Sequence, residues 1–143
     1  MKYLKYSLLA FIVTFFCSFV YVNAAGTYKA YAGIEIPALK GDLRKGPHTK
    51  TERNIQHYNN TGTINLCNGN ENGIQVRVYS EADGYSAWLT VAGANQNGAW
   101  ANSSVSTTPR AYNLYLQNNT NSVCKASHSG TWYLDKSAYD LVY

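Results

Sequence analysis

The sequence is poor in charged residues and, after residue 24, in helical patterns. Lysine, arginine, aspartate and glutamate make up 14% of the chain, with 12 basic and 8 acidic side chains. Such a small excess of positive charge does not favour nucleic acid as a partner, because nucleic-acid-binding domains carry a pronounced basic surface. Beyond residue 24 no segment keeps the i, i+3, i+4, i+7 apolar spacing over three turns, so a helical fold is not expected.

Motifs of catalysis and of cofactor binding are also missing. The chain has no Gly-x-Ser-x-Gly turn, no His-Glu-x-x-His motif and no glycine-rich phosphate loop ending in Lys-Ser or Lys-Thr. We therefore expect a protein that is not an enzyme and that holds neither a metal nor a cofactor. A small hydrolase is an alternative, and it would need acids or histidines that converge in one pocket. The candidates are Glu35, Glu52, His48, His57 and His128.

The N-terminal residues have the pattern of a secretory signal peptide. Lys2 and Lys5 precede an apolar run of 15 residues, 8–22, and small residues follow at 23–24. A spanning helix needs about 20 apolar residues, so this run favours a cleaved leader over a membrane anchor. Cleavage after residue 24 predicts a secreted mature domain over 25–143, with ten basic and eight acidic side chains and a formal charge of +2.

The predicted mature chain has two cysteines, Cys67 and Cys124. In an oxidising compartment an even number of cysteines favours a disulfide, with two buried free thiols as the alternative. A bond between these positions would stabilise the fold by about 4 kcal/mol on the loop-entropy model.

Short runs rich in tyrosine, tryptophan, valine and threonine alternate with polar residues, a pattern typical of β-strands. The clearest is a hairpin with strands near 73–80 and 85–92 and a tight turn at Asp83-Gly84. A loop is expected over 93–98. About seven or eight strands predict one all-β domain, a small antiparallel β-sandwich or barrel. The other predicted strands are 27–36, 63–67, 99–106, 111–117, the vicinity of Val123 and Cys124, 130–134 and 139–143.

The segment 40–58 lacks a period-two pattern and is rich in basic residues. We expect a long loop, or a loop with a short helix after Thr51. A cationic loop would be attracted to anionic envelope polymers or phospholipid head groups, and a solvated linker is the alternative. Its basic residues are Lys40, Arg44, Lys45, Lys50 and Arg53.

Aromatic residues give the strongest indication of function. Rings flanked by amide and hydroxyl groups suit stacking on sugars or peptides, although one or two tryptophans are expected to fill the core. The tyrosines expected to face solvent are Tyr58, Tyr79, Tyr85, Tyr115 and Tyr133. The predicted binding residues are Trp88, Trp100, Trp132, Tyr85 and Tyr115, together with the basic residues of the 40–58 segment.

The C-terminal Ser129-Gly130-Thr131-Trp132, followed by Asp135, resembles the endings of small secreted Bacillus-type proteins of Gram-positive bacteria. The Gly-Thr-Trp element is also similar to one in the lactococcin-972-type bacteriocins, which are exported β-sandwiches. The leader, the missing catalytic motifs and the aromatic residues predict a secreted, non-enzymatic protein that binds a cell-wall polymer, a membrane surface or another protein, and the resemblance implies a bacterial source. A secreted bacteriocin-like antibacterial protein is the alternative that the resemblance implies.

Overall fold

The computed structural model describes residues 26–91, 96–99, 106–119 and 123–142, with the backbone alone at 96–99. Two antiparallel sheets pack together as a sandwich, and Cys67 is bonded to Cys124 with their Cα atoms 5.8 Å apart. The predicted all-β sandwich with one disulfide is therefore confirmed. The predicted leader, 1–24, lies outside the described residues.

The described ranges form nine strands and one short helix. The elements are β1 (Tyr28–Ile36), β2 (Leu43–Thr49), β3 (His57–Asn65), β4 (Ile74–Ser80), β5 (Gly84–Tyr85), β6 (Leu89–Val91), β7 (Gln96–Ala99), β8 (Ala111–Asn118), β9 (Ala126–Tyr133) and α1 (Lys136–Asp140). Sheet 1 has the order β1-β9-β3-β7 and sheet 2 the order β2-β8-β4-β5, with β6 also paired to β4. No helix in these ranges is both long and apolar enough to cross a bilayer.

Sheet 2 turns an apolar face to the core. In β4 buried and partly exposed residues alternate strictly, whereas in β8 the outward Asn113 and Gln117 are buried as well. In both strands every second side chain points towards the core, and each of these contributes about 1.5–3 kcal/mol when fully buried. The inward residues are Ile74, Val76, Val78, Tyr112, Leu114 and Leu116, all fully buried.

Sheet 1 turns a mixed face to the core, with both aromatic and polar side chains. Trp132 of β9 and Tyr58 of β3 are fully buried, and so is His128. Gly130 makes room for Tyr58, since a Cβ at this glycine would lie 2.5 Å from the tyrosine hydroxyl oxygen. A larger residue at 130 would therefore push β3 and β9 apart.

The prediction of a loop over 40–58 is wrong, because the segment contains β2 and the start of β3. Among the described strands, β2 lies at the edge of sheet 2 and pairs only with β8, and its register shifts between Lys45 and His48. Gly46 and Pro47 form this irregularity, which removes the period-two pattern that would have identified the strand. Gly46 approaches its neighbour closely, since a Cβ there would lie 2.9 Å from the Tyr112 carbonyl oxygen.

Four smaller predictions also need correction. The predicted strand 139–143 overlaps α1, and the predicted loop 93–98 overlaps β7. β9 begins at Ala126, after the predicted strand at Val123 and Cys124. The predicted strand 85–92 is divided into β5 and β6, because Ser86 Oγ takes the place of a strand partner and accepts from the Val78 amide at 3.0 Å.

Candidate functional site

The outer surface of sheet 2 carries aromatic rings grouped around one arginine. Because β4 turns its apolar residues inward, Arg77 and Tyr79 of that strand point outward. The register places Tyr115 of β8 opposite Arg77, and Tyr85 of β5 opposite Tyr79. Trp88, immediately before β6, also reaches Arg77. We call these five residues the aromatic–arginine face.

The guanidinium of Arg77 packs against three of the rings. Its central carbon lies 4.1 Å from the ring centre of Tyr85, 4.2 Å from that of Trp88 and 5.5 Å from that of Tyr115. Tyr85 also packs 4.6 Å from Tyr79 and 5.3 Å from Tyr115, centre to centre. Each cation–π contact of an exposed group contributes about 0.5–1 kcal/mol. The rings are therefore held in place although Tyr85 is 48% exposed.

Polar contacts fix the same face. Arg77 Nη2 lies 3.2 Å from Asp42 Oδ2, and both side chains are partly exposed. Hydrogen bonding to Tyr85 raises the pKa of Tyr115 above its ordinary value. The face thus offers planar rings, hydroxyl groups and a guanidinium whose charge is matched by a carboxylate.

Amide groups extend the face along sheet 2. The side chains of Gln75 and Gln117 lie 2.7 Å apart, and Gln75 Nε2 also lies 3.2 Å from Thr90 Oγ1. Gln117 is buried, whereas Gln75 is half-buried and Thr90 is exposed, so the amide of Gln75 and the hydroxyl of Thr90 can donate to and accept from the hydroxyls of a ligand.

Of the predicted binding residues, the fold brings together Tyr85, Trp88 and Tyr115. Arg44 of β2 lies opposite Tyr115 in the register, and so joins the same side of the sheet. Arg77 was not among the predicted residues, although the alternation of its strand places it next to Tyr79 on the outer face.

Trp132 does not belong to this surface. Its side chain is fully buried, and its indole N–H donates to Gln56 Oε1 at 2.9 Å. It fills the core, as one or two tryptophans were expected to do. Tyr58 and Tyr133, expected at the surface, are buried as well. Trp100 lies outside the described residues.

The basic residues of 40–58 are dispersed. Lys40 and Arg53 are exposed in the connections on either side of β2, and Lys45 is half-buried within that strand. Lys50 is buried, which corrects its placement in an exposed cationic loop. These residues therefore do not form one continuous basic surface.

Lys50 lies in a closed network built around Asp135. Its Nζ is 3.4 Å from Asp135 Oδ1 and donates to Asn54 Oδ1 at 2.7 Å. The Asp135 carboxylate also accepts from the amides of Thr27, Thr51 and Glu52. Burial acts to raise the pKa of Asp135, but the hydrogen bonds outweigh it and hold that pKa at about 2.

His128 forms a second buried polar cluster between the sheets. Its Nδ1 lies 2.7 Å from Thr63 Oγ1, and its Nε2 is hydrogen-bonded to the Tyr58 hydroxyl. Burial lowers the pKa of His128 to about 4, so the imidazole is neutral at pH 7.

The acids of the hydrolase alternative have partners of their own. Glu35 on β1 lies 2.8 Å from Lys125 at an exposed position. Glu52 accepts hydrogen bonds from Ser137 and Asn54, at the opposite end of the sandwich from the disulfide. These contacts give both acids a structural role.

The histidines of that alternative are similarly engaged. His57 stacks on Tyr139 at 4.4 Å between ring centres, and His48 packs edge-on to Trp132 at 5.9 Å. In the described part of the chain, no three His, Cys, Asp or Glu side chains are grouped so that they could hold a metal ion.

No protein-family model matches this chain, and no curated protein sequence matches it. The resemblance to small secreted proteins and to bacteriocins therefore stays a prediction.

Proposed function

We propose that this chain is a secreted, non-enzymatic β-sandwich that binds a cell-envelope polysaccharide through the aromatic–arginine face. The observation that carries the proposal is the grouping of accessible rings around Arg77 on one flat side of sheet 2. Rings of this kind supply a large contact area that loses little conformational entropy on binding.

The chemistry of the face favours a sugar polymer over the other proposed partners. Sugar rings have apolar faces that stack on aromatic side chains, and hydroxyl groups that pair with amides such as that of Gln75. A membrane surface would be attracted by a continuous cluster of basic residues. The basic residues of 40–58 are instead dispersed, and Lys50 is buried.

Secretion is supported by the N-terminal sequence, in which two lysines precede a short apolar run and small residues. The absence of recognisable catalytic motifs from the sequence supports a binding role. Intact-mass measurement of protein recovered from culture medium tests export. We expect a chain that starts at residue 25 and has its two cysteines bonded, and a retained Met1 would contradict this part of the proposal.

Sedimentation with purified bacterial cell walls tests the binding itself. We expect the mature protein to be retained, and we expect Trp88→Ala to weaken retention about tenfold, as truncation of a central interface aromatic does. Tyr85→Ala should have a similar effect, because its ring contacts both Arg77 and Tyr115.

Tyr28→Ala is the matched control. Tyr28 is also an exposed tyrosine, 57% accessible, but it lies on sheet 1 against Tyr133. The proposal would be contradicted if Tyr28→Ala and Tyr85→Ala reduced retention equally, or if neither variant changed retention. If retention is lost after protease treatment of the walls, the partner is a wall-associated protein instead.

A further inference from the structure

We propose that the polysaccharide is acidic, and that a cleft between Arg44 and Arg110 binds its carboxylate or phosphate groups. This inference rests on the proposed function and names the class of ligand. The cleft has a volume of about 490 Å³ and lies beside the aromatic–arginine face. Its walls come from β2, from the turn after β4 and from the start of β8. Residues that line it include Arg44, Ser80, Glu81, Arg110 and Asn113.

Arg44 is the cation of this cleft that has no carboxylate partner among the described residues. Its Nε donates to Asn113 Oδ1 at 3.0 Å, which orients the guanidinium. None of its contacts in the described ranges is with a carboxylate, so both terminal amino groups are left for a ligand. A guanidinium held in this way suits a planar carboxylate or a phosphate, which it can bind through two parallel hydrogen bonds.

Arg110 supplies a second guanidinium from the segment before β8. Its Nη1 donates to Asp83 Oδ2 at 2.7 Å, so Asp83 holds the side chain in one orientation. Its Nε is shielded from solvent and has no hydrogen-bond partner among the described residues. Asp83 thus positions the guanidinium of Arg110 in the wall of the cleft.

Within the cleft, the positive charge that an anion would meet is that of Arg44. Arg110 is already matched by Asp83, whereas no carboxylate among the described residues pairs with Arg44, and Glu81 lies in the exposed turn after β4. By contrast, the aromatic–arginine face itself is neutral, because Asp42 matches Arg77. A ligand whose rings lie on the neutral face would therefore place its charged groups at the cleft.

The two surfaces are continuous across the strands. Arg44 lies opposite Tyr115 in the β2–β8 register, and Asn113 lies opposite Tyr79 in the β8–β4 register. Neighbouring strands are about 4.8 Å apart, so the step from a stacked sugar to the cleft is about the length of one sugar unit. An acidic polysaccharide can engage both surfaces at once.

Binding to three soluble polymers tests the inference. Polygalacturonate carries carboxylates, its methyl ester is the neutral equivalent, and a poly(glycerol phosphate) teichoic acid carries phosphates. We expect at least one acidic polymer to bind about tenfold or more tightly than the methyl ester, since charge-assisted hydrogen bonds are about twice as strong as neutral ones. The acidic polymer that binds identifies the acid, and its binding should weaken with added salt.

Variants show which residues are responsible for the preference for the acidic polymer. Arg44→Gln should remove most of the preference for the acidic polymer and leave binding to the methyl ester unchanged. Glu81→Gln should strengthen binding to the acidic polymer about two- to threefold, because an opposing carboxylate is removed. Arg53→Gln is the control, since Arg53 is an exposed arginine outside the cleft lining.

The outcomes separate this inference from the proposed function. Equal binding of acidic and neutral polymers would overturn the inference and leave the proposed function in place. Binding of none of the three would also overturn it, while retention on cell walls decides the proposed function independently. A preference that survives Arg44→Gln but falls with Arg53→Gln would place the anion elsewhere and overturn the assignment of the cleft.

Discussion

Two ion pairs of this protein have nearly the same length but opposite environments. Lys50 lies 3.4 Å from Asp135 with both side chains inaccessible, whereas Arg77 lies 3.2 Å from Asp42 with side chains that are 22% and 34% accessible. The first pair is enclosed by backbone amides. The second is covered by aromatic rings on one side and is open to solvent.

The difference shows that burial, and not distance, decides what a charged pair does. Taking two charges out of water is costly, so the Lys50–Asp135 pair is stable only as a complete network. The Arg77–Asp42 pair keeps part of its hydration, and for that reason contributes little to stability. Because both side chains are partly accessible, the pair can also contact a ligand.

The sharpest test of this contrast is removal of the acid from each pair. Asp135→Ala leaves Lys50 buried without its counter-charge, and it removes the acceptor of the Thr27, Thr51 and Glu52 amides. We expect the free energy of unfolding to fall by about 3–5 kcal/mol, measured by urea denaturation.

Asp42→Ala is the matched substitution in the exposed pair. The free energy of unfolding of this variant should fall by no more than about 1 kcal/mol. If the two variants lose similar stability, the contrast between the buried and the exposed pair is wrong.

The next-largest effect on stability is expected when the pH is lowered, and it comes from the buried His128 of sheet 1. Burial holds the pKa of His128 at about 4 in the folded state, below the ordinary value of 6.5. The unfolded chain therefore takes up the proton first, so stability is complete above about pH 6.5 and falls as the pH is lowered towards 4. The full shift corresponds to about 3 kcal/mol.

Urea denaturation at a series of pH values measures this dependence. His48 and His57 also have lowered pKa values, chiefly through burial, and act in the same direction. His128→Gln isolates the contribution of His128, since glutamine can still donate to and accept from Tyr58 and Thr63 but does not titrate. An unchanged pH dependence in this variant would show that His128 is not the responsible group.

Much of the fold could be predicted because its central strands are regular. The core-facing apolar residues stand at every second position of β4 and β8, so these inward faces follow from the sequence, although Asn113 and Gln117 on the outward side of β8 are buried as well. β2 escaped prediction because Gly46 and Pro47 interrupt its period. The burial of Lys50 could not be foreseen either, since its partner Asp135 lies 85 positions away in the chain.

The candidate site was predicted in part for a similar reason. Tyr85, Trp88 and Tyr115 were chosen as aromatic residues suited to contact, and the fold places them together. Arg77 was missed because its importance comes from neighbours on three other segments, which only the pairing of β4 with β5, β6 and β8 brings near.

Arg77→Lys is expected to change stability only slightly and to act mainly on binding to cell walls. Lysine keeps the positive charge near Asp42 but lacks the planar group that stacks on Tyr85 and Trp88. We expect the free energy of unfolding to fall by about 1 kcal/mol or less, the size of an exposed cation–π contact. Retention on cell walls should weaken much more, because the rings lose the group that orders them.

Substitution of Lys125 by Gln in the exposed pair with Glu35 is the control, since it removes a surface charge beside sheet 1 and should leave retention unchanged. If Arg77→Lys binds walls as the unaltered protein does, the stacked guanidinium is not what organises the face, and the rings alone would have to account for binding.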